Sequence, residues 1–405
     1  MGATTSTATW FGRVLVAVAL NFGDMPPHSI NSVDVVQQVG WENGALPARS
    51  QYLNSYHPLP PGSARPVVLL GGGVYVPDEA FVIAKDWAGR SNTETYRVSV
   101  CTWAGESVSG PDQEPVDVAK IIKRFNPPGD PSEIEICTLP TVQNLLEAAE
   151  AGDIDEVVRA IEEQLNASSV VYFTGGDQAV LVFMMQKFPQ IREVLLKRLG
   201  ADGSAVAPEN EPQSAAVYVG TSASTAIALK RTILGNGGRG PDDSGLMEEQ
   251  LSALSDQGGY KHSLVAREGL GLNLIPGISF VDQHFGWSRA FVERLKAGEE
   301  MPLFLEDGVT PAEEIRPKRT ARLMELTTES LGLAIFHDCG LVFYEVDGKK
   351  YLRVFVDNPD SPYRAPGLPA AGLFNRGEVT HLYPGSIYEL TEDGVVLCES
   401  GSEEE

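Results

Sequence analysis

Histidine is scarce in this chain: His28, His57, His262, His284, His337 and His381 are all that 405 residues contain. The scarcity is useful, because histidine is the side chain that most often serves as a catalytic base near neutral pH, so every candidate can be enumerated. Cysteine is rarer still, with Cys101, Cys137, Cys339 and Cys398 far apart and no C-x-x-C spacing. That excludes a disulfide framework and a cysteine-built metal site, and the four read as buried free thiols. Positive charge is also short, since 31 basic residues against 55 acidic ones leave a net charge of −24. Such a balance disfavours nucleic acid and anionic membrane surfaces. It would suit a cationic substrate, although a solvated acidic surface is the plainer explanation. No apolar run approaches the length of a membrane span. No G-x-x-x-x-G-K-[ST] occurs, and neither Gly71-Gly72-Gly73 nor Gly175-Gly176-Asp177 completes G-x-G-x-x-G, so a phosphate cradle is not expected.

What is present is ample apolar material, 42% of the residues, enough for a packed core. Residues 1–65 read as an extension: an apolar run at Val14–Leu20, then a Pro-, Ser- and Asn-rich passage ending in Pro58-Leu59-Pro60-Pro61-Gly62. The Val14–Leu20 run follows a single Arg13 and reads as a strand as well as it does a leader, so the chain is expected to be soluble and cytoplasmic. Residues 66–398 form the expected main domain, and 399–405 an acidic tail. Within the domain, apolar runs and helical patterns alternate. Val67–Leu70, Tyr96–Cys101, Ile134–Cys137 and Val170–Phe173 read as strands, the first as a buried parallel one. Thr141–Ala151 and Ile154–Leu165 read as helices, with Gly152-Asp153 as stop and cap, and a further helix runs from Gln178 to about Leu199. Gly235–Gly259 reads as an inserted loop. Ile278–Val281 leads into Asp282-Gln283-His284-Phe285, Ser288–Lys296 reads as a helix, and the chain from Leu331 is mostly strand. These repeated β-α units predict an α/β fold, a doubly wound and mostly parallel sheet with a β-rich C-terminal edge.

The apolar run Ala215–Val219, the small-residue turn Gly220-Thr221-Ser222-Ala223-Ser224, and the helix-forming Ala226–Lys230 follow one another. Strand, tight turn with a serine, then helix is the geometry of a nucleophile elbow, which lifts the hydroxyl out of the sheet and aims free helix N–H groups beside it. The elbow pattern is G-x-S-x-G, and here Ser224 replaces the last glycine. A purely structural turn fits these residues as well. Acyl transfer also needs a base; His284, at the end of a strand, and His337, in a similar place, are the positional candidates.

The order Gly175-Gly176-Asp177-Gln178, then Gly220-Thr221-Ser222-Ala223, then Gly271-Leu272 and Asp282-Gln283-His284-Phe285 resembles the cyanophycinase branch of the serine peptidases that also include dipeptidase E. The resemblance runs from about Val67 to Leu397. It implies a class I glutamine-amidotransferase-like (flavodoxin-like) fold and cleavage of aspartyl bonds, as in release of β-aspartyl-arginine dipeptides. Ser222 would be the nucleophile and His284 its base, with the N–H groups of Gly176 and Ala223 as the oxyanion hole. Gln178, Asp282 and Gln283 would line the substrate pocket, where a buried carboxylate at Asp282 would suit a substrate guanidinium. No cofactor or metal is implied; the expected partner is a small peptide or isopeptide, and a homodimer is allowed.

The sequence departs from that family in three places. The third catalytic member there is a glutamate, and the matching run Gly332-Leu333-Ala334-Ile335-Phe336-His337-Asp338 carries His337 at its position. Asp338 next to it is the candidate acid, reaching the site through a strand bulge; His337 itself, Glu325, Glu329 or a Ser-His dyad are the alternatives. The elbow carries Ser224, and an arginine-rich helix start is reduced to Arg289, the remaining candidate for a substrate carboxylate. A serine peptidase with diverged specificity is therefore expected. A catalytically impaired binding protein and an acyl- or amidotransfer enzyme are the alternatives.

Overall fold

The computed structural model describes residues 59–60, 63–72, 95–106, 133–201, 215–234, 249–250, 268–316, 318–328, 330–356, 361–365 and 367–398. The expected N-terminal extension (apart from a few residues at its end), most of the 235–259 loop, the acidic tail and Glu329 lie outside them. Five strands run parallel in one sheet: β1 (Ala64–Leu70), β2 (Thr95–Cys101), β3 (Glu133–Thr138), β4 (Val170–Phe173) and β5 (Val217–Thr221). Their order is β3-β2-β4-β5-β1, each neighbouring pair parallel. Val67–Leu70 and Val170–Phe173 are buried along their whole length, as continuous apolar runs in a sheet covered on both faces must be.

Beyond β1 the same sheet turns antiparallel, adding β8 (Cys339–Val346), β9 (Lys349–Val356), β12 (Ile387–Thr391) and β13 (Gly394–Leu397). The nine-stranded sheet thus has four parallel and four antiparallel pairings, so "mostly parallel" holds only for its first half. A second sheet of four strands, in the order β11-β10-β7-β6, contains β6 (Ile278–Phe285), β7 (Leu331–Phe336), β10 (Ala371–Asn375) and β11 (Glu378–Leu382). The histidine-bearing strand therefore belongs to this smaller sheet and not to the main one. The physical reason lies in the connections. Tight two-residue turns with positive φ, such as Asp347-Gly348 and Arg376-Gly377, fold the late strands into antiparallel hairpins, and no helical crossover intervenes.

The helices α1 (Val142–Ala151), α2 (Ile154–Asn166), α3 (Gln178–Lys187), α4 (Pro189–Arg198) and α5 (Ala223–Ile227) share one apolar core with the second sheet and one face of the first. The opposite face is a separate cluster of Val68, Leu70, Val98, Val100, Val170, Tyr172, Val217 and Val219. Among the described residues no helix covers it. Gly152 ends α1 in the left-handed region (φ 84°), as its glycine predicts. Asp153 precedes α2 without a side-chain cap. The single helix expected from Gln178 to Leu199 is two, because Pro189 lacks an N–H and clashes with a preceding turn, and so begins α4 as its first residue. Two more helices, α6 (Arg289–Lys296, capped by Ser288) and α7 (Arg319–Leu326), link β6 to β7. No helix among the described residues is long and apolar enough to cross a membrane.

Candidate active site

The carboxyl ends of β1, β4 and β5 lie side by side, since Leu70 pairs with Thr221 and Phe173 with Gly220. The turns that follow are therefore brought to one place, the crevice where open α/β sheets put ligands. Ser222 follows β5 directly with φ 54° and ψ −116°, the strained conformation of a nucleophile elbow. Its own N–H donates to the Leu70 carbonyl, and Thr225 fixes the turn from beneath by donating its hydroxyl to the Leu70 and Gly220 carbonyls. The expected weakness at Ser224 disappears, because that residue sits inside α5, where no positive φ is needed. Its hydroxyl donates to the Thr174 carbonyl and ties the elbow to the Gly175-Gly176 turn.

His284 reaches Ser222 from the second sheet. Three steps from Asp282 to Phe285 face two from Ala334 to Phe336, so β6 carries a bulge at Gln283-His284, and His284 takes φ 55° there. A bulge re-aims a side chain. The His284 N–H donates to the Gly71 carbonyl (2.7 Å), and the ring lies where a side chain on Gly72 would be, 2.3 Å from a Cβ built there. That contact, together with φ +83° at Gly72, explains why glycine follows β1. His284 Nε2 is 2.8 Å from Ser222 Oγ.

The other ring nitrogen meets a second imidazole. His284 Nδ1 is 2.8 Å from His337 Nδ1, the ring centroids 4.9 Å apart. His337 and Asp338 form the two-residue corner at which the chain leaves β7 in one sheet and enters β8 in the other. The corner is held by bonds from the His337 N–H to the Phe285 carbonyl and from the Asp338 N–H to the Gly72 carbonyl. The residue in contact with His284 is thus His337, and Asp338 stands behind it. Asp338 Oδ2 is 3.9 Å from His337 Nε2 and accepts from Ser361 Oγ. The bulge expected to bring Asp338 inward lies instead in β6. Glu325 is exposed on α7 and paired with Arg322. Burial pushes the His337 imidazole below its usual value, and Arg316 adds to this, while the Asp338 charge opposes it. Tyr363 packs against the outer side of His337, centroids 4.3 Å apart.

With His337 neutral, one assignment places every proton of the two short contacts. The serine hydroxyl donates to His284 Nε2, His284 Nδ1–H donates to the His337 Nδ1 lone pair, and His337 Nε2–H points towards Asp338. The backbone N–H groups of Gly176 and Ala223 have no partner among the described residues. Ala223 is the first residue of α5, Gly176 has φ +148°, and a Cβ on neighbouring Gly175 would sit 3.1 Å from Ser222 Cβ.

The residues expected to line a pocket are instead buried. Gln178 is inaccessible and donates its amide to the Ile233 carbonyl (3.0 Å), and Gln283 is 1% exposed. Asp282 is fully buried, but its guanidinium partner comes from the chain: Arg319 Nε lies 2.9 Å from one oxygen and Arg316 3.8 Å from the other. Arg289 is exposed and pairs with Glu293. Arg316, Arg319, Ser361 and Tyr363 carried no pattern in the sequence, although the basic cluster Arg316–Arg319 after Glu313-Glu314 was a signal that an internal ion pair could have used.

Fold and site together define an α/β protein with a histidine-bonded serine at a strand-to-helix elbow. No family model matches the chain, and no curated protein matches it. Among solved structures, it is similar to a peptidase from an acI-B1 Actinobacterium, at 16% identity and a TM-score of 0.43, over 81% of this chain and 98% of that one. It is also similar to a protein assigned as a peptidase E from Listeria monocytogenes EGD-e, at 11% identity and a TM-score of 0.35, over 73% and 98% of the two chains. Likeness at this level says nothing of the site, whose chemistry follows from its own geometry.

Proposed function

We propose that the protein is a serine hydrolase that cleaves an amide bond in a small peptide or isopeptide through an acyl-enzyme. The observation that carries this reading is the elbow serine, at φ 54° and ψ −116°, with its hydroxyl 2.8 Å from His284 Nε2. Ser222 Oγ attacks the carbonyl carbon as its proton passes to His284 Nε2, and the Gly176 and Ala223 N–H groups meet the oxyanion. Collapse breaks the C–N bond, and His284 returns the proton to the departing amine. Water then enters by the same route and releases the acid. The tautomer of His284 is set by His337, which accepts from Nδ1 in place of a carboxylate. A neutral acceptor orients the ring as well as an anion does but stabilises the imidazolium less, so a low turnover is expected.

Specificity is proposed to have left the arginine-containing dipeptides of the family resembled. Asp282, the carboxylate that would take a substrate guanidinium, is already neutralised by Arg319 and Arg316. The test is amine release from a panel of α- and β-aspartyl dipeptides, with arginine, leucine or glycine as leaving group, by wild type and Ser222→Ala. Cleavage that needs Ser222 and tolerates loss of the arginine supports the reading. Turnover confined to arginine-containing substrates overturns its specificity part. Absence of any Ser222-dependent cleavage favours the second reading, a binding protein that keeps the elbow but has lost the acid, for which the histidine at position 337 is the specific observation.

A further inference from the structure

A buried carboxylate stands just beyond the two imidazoles, and hydrolysis as described leaves it without a task. Asp338 is 4% exposed, and its Oδ1 has no hydrogen-bond partner among the described residues. Its Oδ2 accepts from Ser361 and lies 3.9 Å from His337 Nε2. A buried charge with an idle oxygen is costly to keep unless a donor reaches it at some stage. Four groups face His337: His284 from β6, Asp338 from its own corner, Arg316 from the segment before α7, and Tyr363 from the 361–365 segment. Only one of the four is a carboxylate.

We propose that Asp338 is a positioning residue that acts on His284 through His337, making a four-member relay Ser222–His284–His337–Asp338. The inference rests on the serine-hydrolase reading. Each proton has a place in it. Before attack, His284 carries its proton on Nδ1 and His337 on Nε2. When His284 Nε2 takes the serine proton, the new positive charge polarises His337 through the Nδ1–H···Nδ1 bond. The His337 Nε2–H then closes on Asp338, a movement of about 1 Å from 3.9 Å to hydrogen-bond distance. No proton leaves His337; the carboxylate balances the charge from one imidazole further away than in an ordinary triad. Ser361 holds the carboxylate in line, and its own segment is fixed by Arg364, whose guanidinium donates to the Leu368 and Pro369 carbonyls.

The experiment follows the His284 and His337 ring resonances of the full chain against pH by NMR, in wild type, Asp338→Asn, His337→Gln and the double variant. In Asp338→Asn both rings are expected to titrate at lower pH, by about one unit. The rate at which a fluorophosphonate labels Ser222 at mildly acidic pH is expected to change with them, the acid limb moving down by the same amount. In the His337→Gln background the Asp338 change is expected to move His284 by less than half as much. Rings that do not move overturn the relay, and so does a His284 shift that is equally large without His337, because that is charge acting through space. Ser361→Ala keeps the carboxylate and covers the case in which Asp338→Asn does not fold. It frees Oδ2 for His337, whose titration is expected to move up, and an unmoved His337 contradicts the proposal. A wild-type chain whose Ser222 takes no label fails the hydrolase reading, whereas the ring titrations still decide the relay.

Discussion

Ser222 is held in a conformation that non-glycine residues avoid, at a cost of about 1–3 kcal/mol, and the hydrogen bonds of Thr225 and the elbow N–H supply the restraint. Such strain is expected where a hydroxyl must stand clear of the sheet. The same crowding makes Gly72 a sensitive position, since a methyl there would meet the His284 ring. Gly72→Ala is expected to cost about 1–2 kcal/mol in stability, because φ is positive. It is also expected to lower any Ser222-dependent rate about a hundredfold through displacement of His284; denaturant midpoints and rates measured on the same preparation check both. At this scale the sequence was legible where the signal is local. The small-residue turn after an apolar run marked Ser222, and a short list of histidines marked His284. His337 was visible as the residue standing in place of an acid, but its Nδ1 contact depends on a corner between two sheets that no local pattern records. The resemblance puts Gln178, Asp282 and Gln283 in the pocket lining, but place along the chain does not decide which way a side chain points, and all three are buried.

The β6 strand shows how an element can do what a residue type cannot. Its bulge turns His284 towards Ser222, while Asp282, two residues earlier, points into the interior to meet Arg319 of α7. This ion pair ties β6 to α7 and fixes the root of the strand that carries His284. Asp282→Ala is expected to destabilise the fold by about 3–5 kcal/mol, because Arg319, 4% exposed, loses a buried ionic partner. Asp282→Asn with Arg319→Gln is expected to recover part of the loss, which urea denaturation of the three chains measures. Most early strands and helices could be read from apolar runs and caps, including Val170–Phe173 to the residue. The hairpin of β10 and β11 has no turn signal in the sequence although Arg376-Gly377 is its turn, because arginine is not a residue that announces a left-handed position. Helix α7 was missed because the Pro-, Lys- and Arg-rich start at 316–319 lacks a capping residue, and its first turn leans on Glu314 instead.

For the molecule as a whole, two sheets meet along one line, and the candidate site lies on it: β1 and β5 bring the glycine turn and the serine, β6 and the β7–β8 corner bring the imidazoles. The division of labour was not legible because the sequence shows strands but not which sheet they join. Histidine also contributes to how this fold meets acid. Burial, opposed slightly by the Gly308 peptide, lowers His381 from 6.5 to about 4, and His337 is lowered as well. A depressed folded value means that the unfolded chain binds more protons in between, so stability is lost as pH falls from about 6.5 towards 4. At about 1.4 kcal/mol per unit, His381 accounts for roughly 3 kcal/mol of that loss. The variant His381→Phe, which keeps the stacking on Phe304, is expected to show that much less loss between pH 7 and pH 4 in urea midpoints. Activation of Ser222 is read by intact-protein mass spectrometry after fluorophosphonate treatment. One adduct per chain, mapped to Ser222 and absent from Ser222→Ala and His284→Ala, is the predicted result. No adduct between about pH 6 and 9, where a histidine base is neutral enough to act, or an adduct that survives in Ser222→Ala, would contradict it.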